Sequence, residues 1–121
     1  MKSLILILFC TVFVSSLSAQ KFHVGVKTTD FMKVETMDGT IEINDSLFII
    51  TIKGENNKNK VKKYNVCKRD SNTVYIPLIS DTVVVLINPN ASGEKRGYTY
   101  DTTISWWVES GITQYFCRKE E

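Results

Sequence analysis

The stretch "YTYDTTISWWVESGITQYFC" (98–117) decides the class of the fold. Tyr98, Tyr100, Thr102, Ile104, Trp106 and Val108 fall on one face of an extended chain, and Thr99, Asp101, Thr103, Ser105 and Trp107 on the other. A period of two is the strand repeat, and β-branched and aromatic side chains are the ones that pack well on a pleated surface. Ser110-Gly111 then predicts a tight turn, placing Trp106 opposite Tyr115 and Ile104 opposite Cys117 in a last hairpin. Cys117 thereby faces inward with the aromatic side chains.

Nearly everything else after residue 20 reads the same way, and no segment has a helical period. In "FMKVETMDGTIEIN" (31–44), Asp38-Gly39 predicts a two-residue turn with Thr36 opposite Ile41 and Val34 opposite Ile43. "SLFIITIKG" (46–54) alternates Phe48, Ile50 and Ile52 with Ile49, Thr51 and Lys53, and "VKKYNVCKR" (61–69) returns with Cys67 on the face opposite Tyr64 and Val66. Pro77 lacks a ladder donor and predicts an edge or an interruption, whereas "TVVVLIN" (82–88), apolar on both faces, predicts the most buried strand. The expected class is all-β, a single antiparallel meander of about seven to nine strands forming a small β-barrel or a β-sandwich.

Residues 1–19 are different in kind. Lys2 gives a positive start, "LILILFCTVFV" (4–14) is mostly apolar and "SSLSA" (15–19) brings small residues. This is the pattern of a secretory signal peptide, too short in its apolar run for a membrane span. Cleavage after Ala19 leaves residues 20–121 as a single all-β domain, exported to the periplasm or secreted, that meets the membrane only through the leader.

The formal charge of the whole chain is +2, and loss of Lys2 reduces it to +1. Between Lys53 and Asp70 seven basic residues stand against two acidic ones, so this segment carries +5 and the rest of the domain about −4. Lys58, Lys60, Lys62 and Lys63 are therefore candidate anion-binding residues, with a solvated hairpin tip as the plainer reading. Tyr64 is the only aromatic residue among them, which argues against nucleic acid. Two cysteines remain after the leader, and an even pair in an exported chain predicts a disulfide between Cys67 and Cys117.

Two family patterns bear on the fold. Tyr115 two residues before Cys117 is similar to the immunoglobulin tyrosine corner, but Glu109 and Gly111 stand too early, and no Trp follows Cys67 before Trp106. A lipocalin-like barrel fits the strand count better, although the Gly-x-Trp signature of that family's first strand is absent. The resemblance to such barrels implies an interior that either holds a small apolar ligand or is filled by its own side chains. Phe48, Ile50, Tyr98, Tyr100, Ile104, Trp106 and Tyr115 are the candidates for that cavity or core.

His23 is the only histidine, and no Ser, Cys or Asp stands in a motif that would make it a catalytic base. No spacing suits a metal site or a cofactor. The expected role is a non-enzymatic binding or structural module of the cell envelope or extracellular space, whose partner is a small apolar ligand or another envelope protein. A hydrolase whose carboxylates meet only in the fold is the other class. Asn44-Asp45-Ser46 and Asn90-Ala91-Ser92 are glycosylation sequons, relevant only in a eukaryotic host.

Overall fold

The computed structural model of the protein describes residues 20–55, 58–79 and 81–120. The predicted leader and Cys10 lie outside them. The described residues form eleven strands: β1 (Gln20–Thr29), β2 (Lys33–Ile43), β3 (Leu47–Lys53), β4 (Asn59–Asn65), β5 (Lys68–Arg69), β6 (Thr73–Pro77), β7 (Thr82–Asn88), β8 (Gly93–Lys95), β9 (Tyr98–Tyr100), β10 (Thr102–Val108) and β11 (Gly111–Glu120). Nine of them make one antiparallel sheet in the order β4-β3-β2-β1-β11-β10-β7-β6-β5, and β8 and β9 form a separate hairpin. The expected all-β meander is thus the observed class.

The sheet is strongly curled. Tyr64 on β4 and Trp106 on β10 are separated by five strand spacings, about 24 Å if the sheet were flat. Their ring centroids are 4.9 Å apart. Chain continuity demands the same bend, because only Val66 and Cys67 separate β4 from β5, the two edges of the sheet. The result is an up-and-down half-barrel whose concave side encloses Phe22, Val24, Ile41, Ile43, Phe48, Val74, Ile76, Val83, Val85 and Ile104, all essentially without solvent exposure. At one end Arg69, its side chain nearly buried, bonds the side-chain oxygen of Gln20 and pairs with Asp45 at 3.7 Å.

Asp38-Gly39 does not turn the chain. Both residues lie inside β2, and the first hairpin turns instead at 30–32, where Asp30 and Phe31 have φ of 52° and 61°. Met32 N–H closes this turn onto Thr29 C=O at 3.1 Å. Two residues in the left-handed region suit a primed hairpin turn, and the strain at Phe31 is offset by what Asp30 does next. Its N–H donates to Ile112 C=O at 2.7 Å, and its carboxylate accepts the Ile112 N–H at 2.9 Å. Gly111 permits that approach, since a Cβ there would stand 2.3 Å from Asp30 Oδ1.

A bulge at Gly25 explains what becomes of Asp38-Gly39. Val24 pairs with Gly39 and Cys117, and Val26 with Thr36 and Phe116, so Gly25 faces two residues of β2 and is extra against β11. The bulge reverses the facing of β1: Val24 points into the half-barrel and Val26 out of it, beside Phe116. On that outer face lies the β8–β9 hairpin, turned at Arg96-Gly97 with φ of 54° and 79°. Tyr100 meets the Phe116 ring edge-on at 4.9 Å, and Lys95 stands 4.7 Å above the same ring.

The last hairpin forms as expected but two residues out of register. Val108 pairs with Gly111, so the turn is Glu109-Ser110; Trp106 faces Thr113, Ile104 faces Tyr115 and Thr102 faces Cys117. A shift of two preserves the faces, and Cys117 is fully buried as predicted. Glu109 N–H is held by Asp81 Oδ2 at 3.0 Å, which fixes the turn one residue early. Of two further expectations, the fully buried β7 is modified and the interruption at Pro77 is met. β7 buries Val83, Val85 and Ile87 but leaves Leu86 exposed, so it is one-sided. Pro77 ends β6 beyond the reach of the two-residue β5, where no ladder donor is required of it.

The predicted disulfide is absent: Cys67 and Cys117 are both free. The chain breaks from β4 after Asn65, Val66 packs against the core, and Cys67 is left in solvent while Cys117 is inside the half-barrel. Burial pushes the Cys117 thiol well above its usual range, with Asp101 adding to the effect. Of these two thiols only Cys67 is expected to react with Ellman's reagent in the folded protein, and both after denaturation. Equal native reactivity would show that the β11 face is open.

Candidate functional site

At the end where β1 turns into β2 and β10 into β11, the concave side is not closed. A pocket of about 190 Å³ is lined by Lys27, Phe48, Ile50, Ile52, Lys62, Tyr64, Trp106, Thr113 and Tyr115. Its walls come from both flanks of the curl: Phe48, Ile50 and Ile52 from β3 and Lys62 and Tyr64 from β4 on one side, Trp106 from β10 and Thr113 and Tyr115 from β11 on the other. Only the tertiary bend brings them together.

The aromatic rings form a connected group. Trp106 lies 5.5 Å from Phe48 and 4.9 Å from Tyr64 between centroids, tilted at 57° and 59°, and Phe48 and Tyr64 are 6.3 Å apart. Such tilted arrangements present both ring faces and ring edges to an occupant. Tyr115 is pushed up to about 12 by burial, with Tyr64 and Cys117 adding smaller contributions, so it is a neutral hydroxyl donor throughout the physiological range. Ile104, the Cα partner of Tyr115, is fully buried in the adjoining core.

The two sets of predicted site residues meet here in part. Phe48, Ile50, Trp106 and Tyr115 line the pocket, and Lys62 joins them from the basic segment. Lys62 pairs with Ile50 and therefore shares the inner face of β4 with Tyr64, whereas Lys63 faces the other way with Val61. Lys60 follows the same inner face further along the strand, opposite Ile52, and Lys58 precedes β4. Lys27 escaped the sequence reading, because without the bulge a strict alternation from Val24 and Val26 places it outside. The missing signal is legible afterwards: Gly25, between two valines, marks the change of face.

Tyr98 and Tyr100 leave the pocket entirely. The bend at Asp101, whose N–H donates to Cys117 C=O at 3.0 Å, ends the continuous strand expected from 98 to 108, and both rings dock on the outer face. Tyr98 sits in the notch left by Gly25, with the Arg118 guanidinium 4.5 Å above its ring. His23 Nδ1 is 2.8 Å from the Tyr98 hydroxyl, which also donates to His23 C=O at 3.0 Å, and His23 Nε2 is 3.0 Å from Asp38 Oδ1. That contact with His23, more than the Lys53 ammonium at 3.5 Å, holds the Asp38 carboxyl below its usual range. Both imidazole nitrogens are engaged and His23 belongs to a strand paired on both sides, so the group is a clamp for the β8–β9 hairpin rather than a free terminal base.

Among the described residues, no three His, Cys, Asp or Glu side chains converge as a metal site. No known family model, curated protein or solved structure matches the chain.

Proposed function

We propose that the protein is an exported, non-enzymatic binding module that holds a small, largely apolar ligand in the mouth pocket. The observation that supports this best is the pocket itself: an aromatic-walled space at the end of an otherwise filled half-barrel, with no carboxylate among the described residues of its lining. Concave apolar sites with a few convergent polar groups are where small ligands bind, and the mouths of barrels are a favoured place. The apolar leader of residues 4–14 supports export.

The experiment uses the protein recovered from the periplasm or medium, expected by terminal sequencing to begin at Gln20. Trp107 is 43 % exposed on the outer face, so a Trp107→Phe background leaves Trp106 as the reporter. Small aromatic compounds should quench or shift its fluorescence saturably, and Tyr64→Ala should weaken binding about 10-fold, the effect of losing one ring from the wall. A panel that leaves Trp106 unchanged would overturn the reading. Recovery of the chain only from the cytoplasm with Met1 retained would overturn the export half of it.

A further inference from the structure

We propose that the ligand is a monoanion built on a single ring, an arylalkyl carboxylate, with its ring against Trp106 and Tyr64 and its carboxylate at Lys27 and Lys62. The inference rests on the small-ligand reading of the same pocket and adds size, shape and charge to it.

Size comes from the volume. An apolar cavity of about 150 Å³ is known to hold benzene, so the pocket of about 190 Å³ accommodates one ring with a short tether inside its walls. Shape comes from the walls, where three mutually tilted rings offer a planar occupant faces and edges together.

Charge comes from the rim. Among the described residues, Lys27 and Lys62 are the only charged ones in the lining, and neither has an ion-pair partner within 4 Å. Glu35, the Cα partner of Lys27, is the carboxylate in line with it. Its side chain is engaged 3.0 Å from Lys33, whose hydrogen bond is the main influence lowering its pKa, with Lys27 a lesser one. Two ammonium groups therefore stand beside an aromatic-walled space with no anion among the described residues of its lining. A carboxylate placed there gains attraction from both. A flexible lysine stem can also simply cover apolar wall while its head stays in water, and that arrangement makes a different prediction.

The test titrates 3-phenylpropionate, 3-phenylpropan-1-ol and 3-phenylpropylammonium into the exported protein in the Trp107→Phe background. The carboxylate is expected to bind at least 10-fold more tightly than the alcohol, and the ammonium most weakly. Lys27→Met with Lys62→Met should reduce the ratio of carboxylate to alcohol affinity to about 1. Lys62→Glu, at an exposed position on an edge strand, should bring the ammonium above the carboxylate. Equal binding of carboxylate and alcohol, or a ratio indifferent to the lysine substitutions, overturns the anion inference and leaves the small-ligand reading standing. Failure of all three probes to bind overturns both.

Discussion

Phe22→Ala is expected to lower the free energy of unfolding by about 3–5 kcal/mol, the range for removing a buried aromatic side chain from a packed interior. Phe22 is 1 % exposed on β1, which is paired on both sides in mid-sheet, so neither neighbouring strand can collapse freely into the space left behind. A domain of this size is stable by roughly 5–15 kcal/mol, and the substitution therefore removes a large share of the total. Urea denaturation would show it as a lower midpoint at unchanged slope. Val61→Ala is the control: Val61 lies on the outer face of edge strand β4, 52 % exposed, and its loss should cost within about 0.5 kcal/mol. A Phe22→Ala cost as small as the control would mean that the half-barrel is not packed around it.

Gly25→Ala is expected to cost about 2–3 kcal/mol, although alanine suits the backbone there. Gly25 is not in the left-handed region, so its glycine is not required by φ. Space requires it: a Cβ would stand 2.2 Å from one carbon of the Tyr98 ring and 2.5 Å from another. The ring cannot yield cheaply, being held through its hydroxyl by His23 and covered by Arg118. Overpacking of this kind costs typically about 1–3 kcal/mol, and displacement of the hairpin adds exposure of Val26 and Phe116. In a Tyr98→Ala background the obstruction is gone, and Gly25→Ala should become neutral or stabilising by about 0.4–1 kcal/mol through the unfolded state. The double-mutant coupling is thus expected at about 2–4 kcal/mol. Additive effects of the two substitutions would sink the account of the bulge as a seat for Tyr98.

Gly25 and Gly39 also show where local reading runs out. Asp38-Gly39 has the composition of a primed turn, but at Gly39 the glycine serves close approach, since a Cβ there would lie 2.5 Å from Thr51 C=O. The residues that do turn the chain, Asp30 and Phe31, carry no comparable local signal, and their conformation is sustained by Ile112 across the sheet. A glycine reports that a side chain is excluded, without saying whether torsion or a neighbour excludes it.

The candidate site was legible in the same partial way. Phe48, Ile50, Trp106 and Tyr115 were identifiable because alternation assigns inner faces strand by strand, and a register error of two leaves those faces unchanged. Tyr98 and Tyr100 were assigned to the interior because nothing local marks the break at Asp101. Cys67 was paired with Cys117 on compartment and parity alone, and the departure of the chain from β4 after Asn65 leaves Cys67 in solvent while Cys117 is buried.

By itself, then, the sequence determined the all-β class, the inner faces of β3, β10 and β11 and the inward position of Cys117, all of which follow from a repeat of two residues that each strand carries within itself. The tertiary structure alone decided the curl, the facing of Lys27, the docking of Tyr98 outside and the meeting of Lys62 with Trp106. Those depend on one bulge and on two sheet edges joined by two residues, contacts between segments whose separate patterns contain no record of each other.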